Sequence, residues 1–91
     1  MAVVFIADIP TMTSAIYRQA ISRVRDQLKA APGFLAHAGT ATQNGFRVTE
    51  MWESQAQCMH FLEETIMPMA QQLGIPAFQP QFLEADEAFT R

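Results

Sequence analysis

Apolar residues crowd the first stretch of the chain. "AVVFIAD" at residues 2–8 is rich in β-branched side chains and lacks polar alternation, which predicts a strand buried on both faces. Pro10 ends it, because proline has no N–H to give to a ladder. The rhythm then turns helical. Ile16, Ala20, Ile21, Val24 and Leu28 recur at three- and four-residue spacing and predict a buried stripe. Thr13 stands where its hydroxyl can cap a free amide, and Pro32-Gly33 stops the helix. Two strand-like runs, "GFLAHAGTA" (33–41) and "GFRVTEMWE" (45–53), flank "TQNG". Asn44-Gly45 is a hairpin signal, since both residues tolerate positive φ. Ser54 and Gln57 have capping-box spacing at the head of a second helix. Its apolar side comprises Cys58, Met59, Leu62, Ile66, Met69, Ala70 and Leu73. Pro68 removes an amide donor and clashes with the preceding turn, so a kink or a fresh short helix ending at Gly74 is expected. "FQPQFLEAD" (78–86) is a last strand, held at an edge by Pro80, and is the segment expected to cross to a partner subunit.

The order β-α-β-β-α-β predicts an α+β, ferredoxin-like fold: a four-stranded antiparallel sheet with both helices on one face. Residues 1–91 leave room for one domain. A chain this short buries only about 60% of its extended surface. Yet 49% of the residues are hydrophobic and 16% charged, which is too apolar for a surface so large. A homodimer covering the free sheet face accounts for the excess, and an internal ligand cavity takes up some of it.

Net charge is −3 and unevenly spread. Arg18, Arg25 and Lys29 share a helical face, read as solvated. No aromatic residues interleave with them, so nucleic acid is not an expected partner. The single cysteine, Cys58, excludes an intrachain disulfide and fits a reducing interior. The N-terminal apolar run is too short for a signal peptide, and no segment has the length of a membrane span. A cytoplasmic protein with no membrane partner is expected.

Strand parity raises the first chemical question. Phe46, Val48, Glu50 and Trp52 share one face, while Arg47, Thr49, Met51 and Glu53 share the other. A two-residue hairpin loop pairs His37 with Trp52, and a four-residue loop pairs it with Glu50. Either way His37 joins the Glu50–Trp52 face. Leu35, Gly39 and Ala41 lie on that face too, and small residues beside large polar ones leave room for a ligand. Three environments are open: a ligand pocket, a buried polar pair of structural meaning, or a solvated face. Tyr17 stands near a cavity mouth or packs at the rim. His60 reads as surface. Cys58 has no basic neighbour in sequence and reads as a small core residue. His37 and His60 lack metal-ligand spacing, and the chain has no phosphate loop, nucleophile elbow or dinucleotide fingerprint. No cofactor is expected.

"PGFLAHAG", "NGFRVTEMWES" and "FLEETIMPMAQQLGIP" together resemble the dimeric α+β barrel superfamily, in its antibiotic-biosynthesis-monooxygenase-like branch. The resemblance covers most of the chain. It implies an indole lining a cavity at Trp52, as in members that oxidise polyketide phenols without a cofactor. Their asparagine four residues earlier and tyrosine six later correspond to Val48 and Cys58, so part of that site is replaced. The haem-degrading branch's asparagine, indole and histidine correspond to Asp8, Phe61 and Gln71, which argues against haem cleavage. Any chemistry then falls to His37 as general base and Glu50 as its orienting partner. Trp52, Tyr17, Val48 and Cys58 would contact the substrate. The expected function is binding, and oxidation or rearrangement, of a small apolar phenolic or enolisable metabolite. The alternative is a non-catalytic dimeric binding or scaffold protein.

Overall fold

The computed structural model describes residues 2–91 and has the expected element order. Strand β1 spans Val3–Pro10, helix α1 Ser14–Ala30, β2 Phe34–Thr42 and β3 Gly45–Trp52. Helix α2 spans Gln55–Phe61, a π-helical turn follows over Leu62–Ile66, α3 covers Met67–Leu73, and β4 is Gln81–Glu84. The strands order as β2-β3-β1-β4, all neighbours antiparallel. This is the ferredoxin-like β-α-β-β-α-β sheet. Among the described residues no helix is long and apolar enough to cross a membrane.

Both helix starts follow from local chemistry. Thr13 accepts the Ile16 amide at 3.2 Å, and Ser54 accepts the Gln57 amide at 3.2 Å, each satisfying an orphan donor of the first turn. The Pro68 region resolves as a widened turn. The Met67 amide donates to the Leu62 carbonyl, five residues back, and Pro68 then enters α3 near its start, where no amide is needed. Gly74 closes α3 at φ 68°, a left-handed cap.

The core lies between the sheet and the helices. Val3, Phe5, Ala7 and Ile9 of β1 pack with Ala20, Ile21, Val24 and Leu28 of α1 and with Cys58, Phe61 and Leu62 of the second helical segment. Four expectations change here. First, β1 is buried on one face only: Val4 and Ile6 are half-buried and Asp8 is exposed, because nothing in the single chain covers the far side of the sheet. Second, Ile16 is 38% exposed, and Tyr17 takes its place against the core. Helical spacing fits either residue, and the rotation of α1 on the sheet selects one. Third, β4 begins at Gln81, so Pro80 precedes the strand rather than lying in it; β4 is nonetheless an edge strand. Fourth, neither Asn44 nor Gly45 adopts positive φ. Thr42 pairs with Gly45, so the turn is Gln43-Asn44. Gly45 is required for space instead: a Cβ there would lie 2.2 Å from the Ile9 carbonyl oxygen. Thr11, at φ 63°, turns the chain away beside it and donates its amide to Asn44 O at 3.0 Å.

Candidate active site

The hairpin register pairs Ala41 with Phe46 and His37 with Glu50, the pairing expected of a four-residue loop, but closed here by the two-residue turn Gln43-Asn44. A bulge between Phe34 and Ala36 then breaks the alternation. Phe34, not Leu35, joins the helix-side face, where its ring meets Trp52 edge-on at 5.5 Å between centroids. Leu35 is turned out and 36% exposed.

Four side chains form one hydrogen-bonded run. The Trp52 indole donates to Glu50 Oε1 at 2.8 Å. Glu50 Oε2 lies 2.6 Å from His37 Nδ1, and His37 Nε2 lies 2.5 Å from the Tyr17 hydroxyl. The pattern assigns the protons. Both Glu50 oxygens face N–H groups, as a carboxylate requires. Nδ1 therefore carries a proton, and in the neutral imidazole Nε2 is left to accept from the Tyr17 O–H. Glu50 is 8% exposed, and its two donors offset the cost of burying it. Among the described residues, no buried side-chain polar atom lacks a partner.

Tyr17 reaches His37 because Gly39 makes room. A Cβ on Gly39 would meet Tyr17 Cζ at 2.5 Å. The ring stacks on Phe46 at 4.3 Å between centroids, 24° from parallel. The space that small residues were expected to leave for a ligand is thus partly filled by the protein's own phenol. Burial is the main influence pushing the Tyr17 phenol above its usual range. The Glu50 charge pushes the same way, and Arg25 opposes them.

An apolar cavity of about 70 Å³ lies between sheet and helices. Tyr17, His37, Val48 and Glu50 line it, together with Leu62 and Ile66 of the widened turn. Trp52 and Cys58 do not. Both are fully buried and stand behind its wall, whereas the sequence reading has them contacting a substrate. Trp52 is drawn away by its bond to Glu50 and by packing against Phe34 and Phe61. Cys58 sits in the core, where burial first and the Glu50 charge second push its thiol up to about 12, an inert state. His60 is exposed, as read. Asp8 pairs with Arg47 on the far face, Phe61 is buried beside Trp52, and Gln71 is exposed, so these three share no site. Sequence reasoning left the Tyr17–His37 bond and the seat at Gly39 unread. A glycine in a strand and on the face of a large polar residue was the available signal.

No protein-family model and no curated protein matches the chain. Solved structures do. The cofactor-independent oxygenase SnoaB from Streptomyces nogalater is similar at TM-score 0.73 and 16% identity, over 99% of this chain and 98% of that one. A candidate antibiotic biosynthesis monooxygenase from Deinococcus radiodurans gives TM-score 0.67 and 17% identity, over 100% and 98% of the two chains. Another from Bordetella bronchiseptica gives 0.73 and 15%, over 92% and 96%. At these identities the likeness establishes the fold alone, the one shared by SnoaB and these candidate antibiotic biosynthesis monooxygenases.

Proposed function

We propose that this chain binds a small phenolic or enolisable metabolite and removes a proton from it, in the manner of a cofactor-independent oxygenase. The observation that carries the reading is the Glu50–His37–Tyr17 run, which aims one imidazole lone pair at a hydroxyl on the wall of an apolar cavity. A phenolic oxygen has two acceptor sites. Tyr17 can therefore receive a substrate O–H proton while giving its own to His37 Nε2. The products are a substrate phenolate or enolate and an imidazolium held by the Glu50 carboxylate. Such an anion is electron-rich enough to react with dioxygen directly or to rearrange without it. A positioned base contributes roughly 10²–10⁴-fold. Trp52 acts through Glu50 and is a positioning residue. The fold shared with SnoaB supports an oxygen-consuming outcome.

The test is oxygen uptake against a panel of phenols and 1,3-diketones, with wild type and His37→Gln. Turnover should fall by roughly 10²–10⁴-fold in the variant. Undiminished turnover would sink the proposal.

One observation favours a second reading, a non-catalytic binding or scaffold protein. The cavity of about 70 Å³ is under half the roughly 150 Å³ that admits a benzene. In that case the four-residue run is a structural network, no panel compound consumes oxygen, and His37→Gln leaves ligand affinity unchanged.

A homodimer is part of either reading. Val4, Ile6, Met51 and Leu83 put apolar surface on the sheet face opposite the helices, and Leu83 is 55% exposed. A second copy laid on that face covers it.

A further inference from the structure

His37 borders a second space. Outside the molecule, between α1 and β2, runs an open groove of about 670 Å³. Its floor includes Tyr17, Ile21, Leu28, Phe34 and His37, and its rim carries Arg18, Arg25 and Lys29. The two spaces that His37 borders differ in size. Ligand sites run to about 300–1,000 Å³, a range the groove meets and the interior cavity of about 70 Å³ does not.

The rim decides the kind of ligand. In a chain of net charge −3, three of the six cations gather here. All three are exposed, and among the described residues none is in an ion pair; the pairs formed are Arg47–Asp8 and His37–Glu50. The Arg25 charge is felt at the Tyr17 phenol. Arg25 and Lys29 stand one helical turn apart, the spacing at which two side chains share one face. Tyr17 lies roughly 12 Å along the helix from Arg25, at 1.5 Å per residue. Between these ends the floor is apolar. Lys29 sits in the last turn of α1, where the helix dipole is negative. That end suits a singly charged group better than a phosphate, which helix N-termini hold.

We propose that the α1–β2 groove is the substrate site, and that it takes a flat hydroxyaryl or enolic carboxylic acid. The carboxylate rests on Arg25 and Lys29, the ring lies over Ile21, Leu28 and Phe34, and the ionisable hydroxyl meets Tyr17 and His37 from outside. This rests on the base chemistry proposed above and adds the direction of approach and the charge of the substrate.

The experiment compares 4-hydroxyphenylacetate with its uncharged amide, by two-dimensional NMR titration of wild type, Arg25→Gln/Lys29→Gln and His37→Gln. In wild type the acid should bind about 10-fold tighter than the amide and shift Phe34, Ala36 and His37, because charge-assisted hydrogen bonds are worth that much. The preference should fall to about 2-fold or less in the double variant, whose exposed sites leave the fold intact, and in about 0.5 M salt. Equal binding of acid and amide overturns the proposal. So do shifts confined to Leu62, Ile66 and Met69, which line the interior cavity alone. The two proposals fail separately. If the acid preference persists with no turnover in wild type, the groove stands and the base chemistry falls. If His37 governs turnover while the double variant processes acids normally, the groove falls and the base stands.

Discussion

Trp52 donates its indole N–H to Glu50 two residues back on the same strand, at 2.8 Å. Because side chains alternate along a strand, residues two apart share a face, and this bond holds one carboxylate oxygen still while the other orients His37. Trp52→Phe keeps the aromatic bulk and removes the donor. It should cost about 1–3 kcal/mol, the penalty of a buried acceptor left unpaired. Urea denaturation measures this; a midpoint unchanged from wild type would show that the indole N–H does not matter.

Gly39 and Tyr17 should be energetically coupled. Gly39→Ala places a methyl 2.5 Å from Tyr17 Cζ, so it should destabilise by about 1–3 kcal/mol in wild type. In a Tyr17→Ala background the same change should cost clearly less, leaving only the 2.9 Å approach to Phe46 Cε2. A double-mutant cycle with no interaction energy would mean that Gly39 is not the seat of the phenol.

Tyr17 is the chain's only tyrosine, so ultraviolet absorbance titration reads it alone. Its midpoint should lie above 10.0, and Arg25→Gln should raise it further, since the Arg25 charge opposes the upward shift. The sign for stability follows. A phenol that holds its proton more tightly when folded contributes stability fully present below the unfolded value and lost as pH rises through the folded one. Cys58 acts in the same direction between 9.0 and about 12. The melting temperature should therefore decline as pH rises beyond about 9. A flat profile through that window would contradict both assignments.

Cys58 should resist thiol reagents at pH 8 in the native protein and react at once in urea. It is fully buried and its thiol is pushed up to about 12. Rapid native labelling would place it at the surface.

Leu83→Asp should convert the proposed homodimer to monomer, read by light scattering after size exclusion. Leu83 is 55% exposed on the free sheet face, and a carboxylate there would be buried unpaired in an interface. If the variant and wild type elute with the same mass, the interface lies elsewhere.

Part of the site was readable in one dimension. Strand period alone put His37, Glu50 and Trp52 on one face, and capping chemistry placed both helix starts at Thr13 and Ser54. The register among even hairpin loops stayed open, because Asn44-Gly45 signals a turn without saying which residues occupy it. The structure chose Gln43-Asn44, freeing Gly45 to lie against Ile9.

Alternation of side chains, helical spacing, caps and breaks all repeat or act over a few bonds, and their order along the chain already implies the fold. Long-range packing set which aromatic ring approaches the imidazole, that Phe34 replaces Leu35 on the inner face, and that the Trp52 indole bonds the Glu50 carboxylate. Those outcomes depend on how α1 is rotated on the sheet and on one extra residue in β2. Both are settled by packing between elements distant in the chain, and no local period encodes them.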